Sequence, residues 1–264
     1  PVSEPSARAL AGLPEIAEGD DLAALIAAGA AAAGGLSDGD IVVVAHKAVS
    51  KAEGRIRRLA EIEPGERARE LAAAHGKDAR HVQAILDEAE ELVRAERGVL
   101  IVRTRHGFVC ANAGVDASNA AADGRGETLV LLPRDPDASA RRIRARLDEL
   151  TAAEAAAGER PPPAVLITDS FGRAWRHGQV DVAIGLAGMQ PLDDWRGRTD
   201  ASGLRLRATW LALADAAAAS ADLARAKDSR EPVVIVEGLQ RFLTAADGPG
   251  AAALLRPPEE DLFR

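Results

Sequence analysis

Short apolar runs, bounded by charged or turn residues, recur along the chain and predict β-strands. Most span four or five residues and are rich in Val, Ile and Leu, which is typical of buried strands. The predicted strands cover residues 41–45, 99–102, 108–111, 128–132, 164–168, 180–189 and 232–236. The second and third of these flank residues 103–107, a spacing that predicts a β-hairpin.

Ala-rich segments between these runs predict the helices. The first begins at Asp20 or Asp21, which are good capping residues, and ends at Gly34. Further helices are predicted over 64–97 (one helix, or two broken near Gly76), 136–157, 204–227 and 251–255. The proline run 161–163 forms a stiff connector and is the best candidate for a domain boundary in the middle of the chain. Because strands and helices alternate irregularly, the expected fold class is α+β, with mixed sheets and flanking helices rather than a doubly wound sheet.

Composition and charge exclude several classes of protein. The chain has 264 residues, of which 47 % are hydrophobic and only 3 % aromatic, so the core must consist mainly of Ala, Val, Ile and Leu. A net charge of −8 argues against a general nucleic-acid-binding protein, which needs a basic surface. The single cysteine, Cys110, excludes a disulfide within the chain and a Cys-based zinc site, and we expect a buried thiol.

No segment is typical of a membrane span or of a secretory signal. The longest weakly polar stretch, 22–36, has 15 residues and is too short and too weakly apolar to cross a bilayer. The N-terminal residues lack a basic region followed by an apolar one. We therefore expect a cytoplasmic protein with neither a membrane nor a nucleic-acid partner.

Two carboxylates follow predicted strands and have small or hydroxyl-bearing neighbours. Asp116 lies in segment 113–119 (AGVDASN), and Asp169 lies in segment 167–173 (ITDSFGR), which ends at Arg173. A carboxylate at the end of a rigid strand is well placed to hold a hard divalent cation against a phosphate. The nearby Arg173 adds the positive charge that phosphoryl chemistry uses. The alternative, equally open on spacing alone, is that both aspartates are plain turn residues.

The sequence contains no phosphate-binding loop of the P-loop or Rossmann type, so a nucleotide would need another device. Lys47 and Lys51 lie four residues apart just after strand 41–45, a spacing at which both charges can reach phosphate oxygens. A solvated basic turn is the alternative. The proline-fixed loop 12–16 is a second candidate, which would read a base edge, and its alternative is a plain surface turn.

Taken in order, these segments resemble the family of coenzyme F420-0:L-glutamate ligases, which add glutamate to a deazaflavin coenzyme. The matching segments are 12–16, 42–55 (VVVAHKAVSKAEGR), 107–119 (GFVCANAGVDASN), 167–178 (ITDSFGRAWRHG) and 247–263. They cover nearly the whole chain. The resemblance implies one ligase unit over residues 1–264, with two structural subdomains, in an intertwined homodimer. We expect no counterpart of the flavin-dependent reductase domain that some actinobacterial relatives carry.

The resemblance also implies the chemistry. The family joins L-glutamate to coenzyme F420-0 by an amide bond, uses GTP, and requires Mg²⁺ or Mn²⁺ together with K⁺. Asp116 and Asp169 would hold one metal ion, and Ser170 would contact a second. The residues implied to contact GTP are Leu13, Pro14, Glu15, Ile16, His46, Lys47, Lys51 and Asn119. Of these, Lys47 and Lys51 would stabilise charge on the leaving GDP, and Arg173 is a further catalytic candidate.

One segment departs from the family. Before the last strand the family usually has a loop that contains Gly and often an acidic residue, whereas segment 225–230 (RAKDSR) has no Gly and only Asp228 as a carboxylate. Either Asp228 is a ligand of the second metal, or the basic residues, Lys227 among them, bind phosphate, or the segment is a plain surface loop; we favour the second. Two rival functions use the same residues: a metal-dependent phosphohydrolase, and a non-catalytic carrier of a nucleotide or deazaflavin.

Overall fold

The computed structural model describes residues 4–37, 39–118, 127–152 and 162–261. Its strands are β1 (Ser6–Ala9), β2 (Ile41–Ala45), β3 (Ile56–Arg58), β4 (Ala89–Glu96), β5 (Val99–Thr104), β6 (Val109–Ala111), β7 (Asp116–Ser118), β8 (Thr128–Val130), β9 (Ala164–Arg173), β10 (Arg176–Ala187), β11 (Leu192–Asp194), β12 (Trp210–Ala212) and β13 (Val233–Glu237). Its helices are α1 (Leu22–Ala32), α2 (His46–Ala52), α3 (Glu66–His75), α4 (Ala79–Glu88), α5 (Pro136–Ala152) and α6 (Leu213–Ala224).

The largest sheet has five strands in the order β1-β13-β2-β9-β10. Only β2 and β9 run parallel in it, and the other neighbours are antiparallel. Three smaller sheets, β3-β8-β7, β4-β5-β6 and β11-β12, are antiparallel. The α+β class with mixed sheets and flanking helices is therefore confirmed.

The continuous apolar runs of β2 and β9 are explained by burial on both faces of the large sheet. Val42, Val44 and Ile167 pack on one face in a cluster with α1 and α5. Val43 and Leu166 pack on the other face against the alanines of α6. Residues 162–163 of the proline run directly precede β9, and α5 and β9, which flank the run in the sequence, both contribute to the first of these clusters. The division into two structural subdomains stays a prediction.

A third apolar cluster lies under α3 and α4 and joins them to the smaller sheets that carry β5 and β8. Cys110 is buried in β6, as expected. Burial, followed by the negative charge of Asp169, raises the pKa of this thiol to about 12, so it stays protonated at neutral pH. The expected burial is confirmed, and a thiol in this environment is a poor nucleophile.

Several predicted elements are confirmed, with local boundary changes. Helix α1 starts at a cap in which the Asp21 carboxylate accepts a hydrogen bond from the Ala24 amide, and the β5–β6 hairpin forms as expected. The predicted helix at 64–97 is two helices broken at Gly76, whose φ of 63° ends α3. The predicted helix at 251–255 is a short 3₁₀ turn over Ala251–Leu254.

Two helix predictions extend too far. Residues 89–96 form β4, because Arg97 and Gly98 (φ 50° and 78°) make a tight two-residue turn that pairs β4 with β5. Helix α6 starts at Leu213 instead of 204, and Trp210 lies in β12, which pairs with β11. In both places cross-strand pairing overrides the helical propensity of the sequence.

Strand β9 does not end at Asp169 but continues to Arg173. The last residue of β9 that pairs with β2 is Thr168, which lies opposite Ala45, so residues 169–173 pair only with β10. These residues form a two-stranded arm whose turn carries Trp175, which is 87 % exposed. Where this arm begins, β9 has lost its partner β2. The Asp169 side chain there lies next to His46, the first residue after β2. Among the described residues no helix combines the length and apolarity that crossing a membrane requires.

Candidate active site

His46, Asp116 and Asp169 meet where β2 ends and the arm begins. His46 is the first residue of α2, Asp116 the first of β7, and Asp169 the first residue of β9 beyond its pairing with β2. His46 Nε2 lies 3.6 Å from Asp116 Oδ2 and 3.3 Å from Asp169 Oδ1. One ligand atom from each residue falls within 4.8 Å of the other two. The two aspartates singled out by the sequence therefore belong to one site.

The histidine in this cluster is deeply buried and strongly influenced by its neighbours. Its side chain is 3 % exposed. Burial alone would lower the pKa of His46, but the Asp116 and Asp169 carboxylates outweigh it and raise the pKa to about 9. Burial likewise works against the charge on Asp116, yet His46 and Lys47 lower the pKa of that carboxyl to about 2. At neutral pH the cluster is thus a protonated imidazole facing an ionised Asp116.

The donor set fits a divalent cation. Two carboxylates and one imidazole are ligands that Mg²⁺, Mn²⁺ and related ions accept. Within the described part of the chain, Nε2 of His46 is buried and makes no hydrogen bond of good geometry, and its neighbours are the Asp116 and Asp169 carboxylates, at 3.6 and 3.3 Å. A bound cation would take the place of the imidazole proton between these carboxylates, because metal ligation requires the neutral imidazole.

A strained turn holds Asp116 in position. Three consecutive residues before it, Asn112, Ala113 and Gly114, have φ values of 53°, 57° and 65°. Only glycine adopts this left-handed region without cost. Ala113 is buried in the cluster under α3 and α4, and a Cβ on Gly114 would lie 2.9 Å from the Leu132 side chain. Packing therefore compensates for a backbone strain of about 1–3 kcal/mol per non-glycine residue, as is common beside functional groups.

The lysines predicted to contact phosphate lie on α2, next to the cluster. Residues 46–52 form a short helix rather than a turn. That its lysines bind phosphate stays a prediction. Lys47 Nζ lies 2.9 Å from Asp116 Oδ2, and Lys51 Nζ lies 3.1 Å from Glu15 Oε1. The hydrogen bond and charge of Lys51, and to a smaller degree Arg230, lower the pKa of Glu15.

The loop 12–16 therefore reaches the site through Glu15. Within this loop Pro14 and Glu15 are exposed, Leu13 is partly buried and Ile16 is buried in the core, so only part of the segment faces solvent. Asn119 lies outside the described residues. Arg173 is the end of β9, four residues along the arm from Asp169, and its guanidinium donates to the His177 carbonyl oxygen at 2.6 Å. The structure thus brings together the two aspartates, His46 and Lys47, whereas Arg173 bonds across the arm.

A second polar group lies on the other side of β9. Asp181 of β10 is 2 % exposed and accepts hydrogen bonds from Ser170 Oγ at 2.6 Å and from Thr168 Oγ1 at 2.9 Å. Arg225 forms a close ion pair with the same carboxylate. Burial would raise the pKa of Asp181, but Ser170, Arg225 and Thr168 together lower it, so the group stays ionised.

Asp181 is a functional candidate that the sequence reasoning missed. A signal was available, because Asp181 is the only charged residue inside the apolar run predicted as strand 180–189. A buried charge in a strand needs a partner, and here that partner comes from segment 225–230. Asp228, by contrast, is exposed. Its part in binding a metal stays a prediction.

Comparisons with known proteins show the family to which the chain belongs. A sequence profile described as F420-0:Gamma-glutamyl ligase matches residues 12–238. Coenzyme F420:L-glutamate ligase of Methanothermobacter thermautotrophicus is 44 % identical over 255 residues, which are 96 % of this chain and 96 % of that protein. The proteins of the same name from Methanopyrus kandleri and Halobacterium salinarum are 44 % and 43 % identical, covering 95 % and 97 % of this chain and 94 % of each relative. The chain therefore belongs to the F420-0:gamma-glutamyl ligase family.

Proposed function

We propose that this protein is a GTP-dependent ligase that joins L-glutamate to coenzyme F420-0. The observation that carries the proposal is the convergence of His46, Asp116, Asp169 and Lys47 at one sheet edge, in a chain whose family match spans residues 12–238. A cation-binding cluster beside lysines is the equipment that phosphoryl transfer needs. The family name and the names of the relatives supply the two substrates that are joined.

In the proposed reaction, a carboxylate oxygen of the phospholactyl arm of F420-0 attacks the γ-phosphorus of GTP. The bond between that phosphorus and the bridging oxygen breaks, and GDP leaves with the electron pair. The amine nitrogen of glutamate then attacks the carbonyl carbon of the acyl phosphate and loses a proton, and phosphate leaves. Lys47 and Lys51 would bind the β- and γ-phosphate oxygens and stabilise the negative charge that grows on GDP.

Asp116 and Asp169 would hold Mg²⁺ or Mn²⁺, with the buried Nε2 of His46 facing the same point. Such an ion supplies charge neutralisation at the phosphates. Lys47 now pairs with Asp116. For Asp116 to bind the ion, Lys47 would exchange this carboxylate for a phosphate oxygen. The resemblance implies a second ion that contacts Ser170, but in this chain Lys227 Nζ donates to the Ser170 hydroxyl at 3.0 Å. The homodimer and the K⁺ requirement belong to the same proposal.

The decisive experiment measures phosphate release and product mass with each substrate left out in turn. We expect phosphate from GTP only when F420-0 and glutamate are both present, and a product heavier than F420-0 by one or more glutamyl residues. Phosphate release in the absence of both would instead favour a metal-dependent phosphohydrolase. Binding of nucleotide or deazaflavin without release would favour a carrier.

The nucleotide is tested separately, because the base contact rests on the resemblance and loop 12–16 carries no group that selects guanine by itself. We expect kcat/KM to be higher for GTP than for ATP. A clear preference for ATP would contradict the assignment of GTP while leaving the ligase activity intact.

A further inference from the structure

The ammonium group of Lys227 is surrounded by side-chain oxygens at the edge of the active site; we call these oxygens the Lys227 oxygen cluster. Its Nζ donates to Ser170 Oγ at 3.0 Å and to Asp222 Oδ1 at 2.9 Å, and Asp181 Oδ1 lies 3.8 Å away. Two carboxylates and a hydroxyl around one positive charge resemble the surroundings of a bound cation. Here the cation is part of the chain.

Hydrogen bonds and an ion pair hold the Lys227 oxygen cluster in place. The buried Asp181 carboxylate accepts hydrogen bonds from Thr168 and Ser170 and pairs with Arg225, which itself donates to the Pro232 carbonyl oxygen at 3.2 Å. The only proton of the Ser170 hydroxyl points to Asp181, so a lone pair of Oγ faces Lys227. Asp181 and Arg225 are therefore positioning residues for the ammonium.

The Lys227 oxygen cluster lies next to the cluster of His46, Asp116 and Asp169, because Ser170 of the first directly follows Asp169 of the second in the chain. The backbone N–H of Ser170 donates to Asp169 Oδ1 at 2.7 Å, while the Ser170 side chain contacts Lys227. The Lys227 side chain is 70 % exposed, so its ammonium keeps an open face for an incoming anion. The other end of segment 225–230 also faces the site, because the charge of Arg230 lowers the pKa of Glu15, which pairs with Lys51.

We propose that the Lys227 ammonium is a built-in cation of the nucleotide site. It takes the position beside Ser170 that a second divalent ion would take, and it binds a phosphate oxygen of GTP there, so that each site needs one divalent ion. This inference rests on the proposed function and deepens it. A lysine is a compact point charge with three donors, which suits an oxygen ligand set of this size and charge.

The test measures two quantities on the full chain, neither of which depends on turnover. The first is the number of Mn²⁺ ions bound per chain with GDP present, from electron paramagnetic resonance of free Mn²⁺. The second is the dissociation constant of GDP at saturating Mn²⁺, by calorimetry. The variants are Lys227→Ala, Lys227→Arg and the matched charge deletion Lys77→Ala in the turn between α3 and α4, with circular dichroism as the check on folding.

We expect one Mn²⁺ per chain in the wild type. Lys227→Ala should weaken GDP binding about tenfold or more, as loss of one charged hydrogen bond does. Lys227→Arg should weaken GDP binding less than Lys227→Ala does, since the charge is kept although the larger guanidinium fits these oxygens less well, and Lys77→Ala should leave the affinity unchanged. Two Mn²⁺ per wild-type chain, or equal GDP affinity in wild type and Lys227→Ala, would overturn the inference while leaving the ligase proposal standing. A wild type that binds no GDP with Mn²⁺ would overturn both the proposed use of GTP and this inference.

Discussion

Removing the imidazole of His46 should flatten the pH dependence of stability in the metal-free protein. The folded-state pKa of His46 is about 9, compared with 6.5 for an ordinary histidine. Because the folded pKa is raised, the proton binds the folded state more tightly, and its contribution to stability is complete below pH 6.5. That contribution is lost as the pH rises through the folded pKa, so the window runs from about pH 6.5 to about pH 9.

The magnitude follows from the size of the shift. A difference of about 2.5 pKa units corresponds to about 3 kcal/mol, at 1.36 kcal/mol for each unit. The side chain is 3 % exposed, so solvent screening reduces this energy little. In a domain whose whole stability is on the order of 10 kcal/mol, such a loss is easily measured.

The assay is urea unfolding in the presence of EDTA at several pH values between 6 and 9, for the wild type and for His46→Gln. Other groups titrate in both proteins, so the difference between the two profiles isolates His46. We expect the wild-type free energy of unfolding to fall by about 3 kcal/mol more than that of the variant. Parallel profiles over this range would refute the assignment of a buried, charged histidine between two carboxylates.

Three further predictions follow from single contacts. Asp116→Asn and Asp169→Asn should each abolish ligation at saturating Mn²⁺ while the circular dichroism spectrum is kept, because an amide is a poor ligand for a hard ion; near wild-type rates in either variant would remove it from the metal site. Asp181→Asn should lower the free energy of unfolding by about 3 kcal/mol, since it leaves Arg225 without its buried counter-charge, and an unchanged urea midpoint would contradict this. Gly185→Ala should cost about 1–3 kcal/mol, because its Cβ would lie 2.4 Å from the Pro136 carbonyl oxygen at the start of α5; equal thermal stability would show that α5 adjusts freely.

The apolar pattern located the centre of the fold well, for a physical reason. Strands such as β2 and β9 are buried on both faces, so nearly every residue in them is apolar and the runs stand out in the sequence. The ends of these runs also located the site, since Asp169 and Lys47 lie within two residues of the last paired positions. Local sequence therefore carried both pieces of information.

Elements that depend on long-range pairing were harder to predict. Residues 89–96 are charged and helical in composition, and only their pairing with β5 makes them a strand. Likewise β9 continues past Asp169 because β10 supplies a partner there. The ion pair between Asp181 and Arg225 joins positions 44 residues apart in sequence, and nothing local to either residue specifies it. Such contacts depend on the assembled topology.

The place of the site follows from that topology. The parallel pair β2–β9 is the one point in the large sheet where two neighbouring strands end or lose their pairing in the same direction. Their carboxyl ends create a crevice, which is where open sheets commonly bind ligands. His46 lies just after the end of β2 and Asp169 in the middle of β9, so two apolar strands place polar groups beside each other at the edge of the sheet.

The lysines around this crevice form ion pairs that can exchange a carboxylate for another anion. Lys47 pairs with Asp116, Lys51 with Glu15, and Lys227 with Asp222; in each pair one side chain is more than half exposed. Ion pairs exposed in this way contribute about 0–1 kcal/mol, so a phosphate can replace the carboxylate at little cost. Under the proposed function, Lys47 would leave Asp116 for a phosphate oxygen, that carboxylate would become available to a divalent ion, and the ion would in turn favour the phosphate. We therefore predict that nucleotide and metal promote each other's binding, by thermodynamic reciprocity to the same extent.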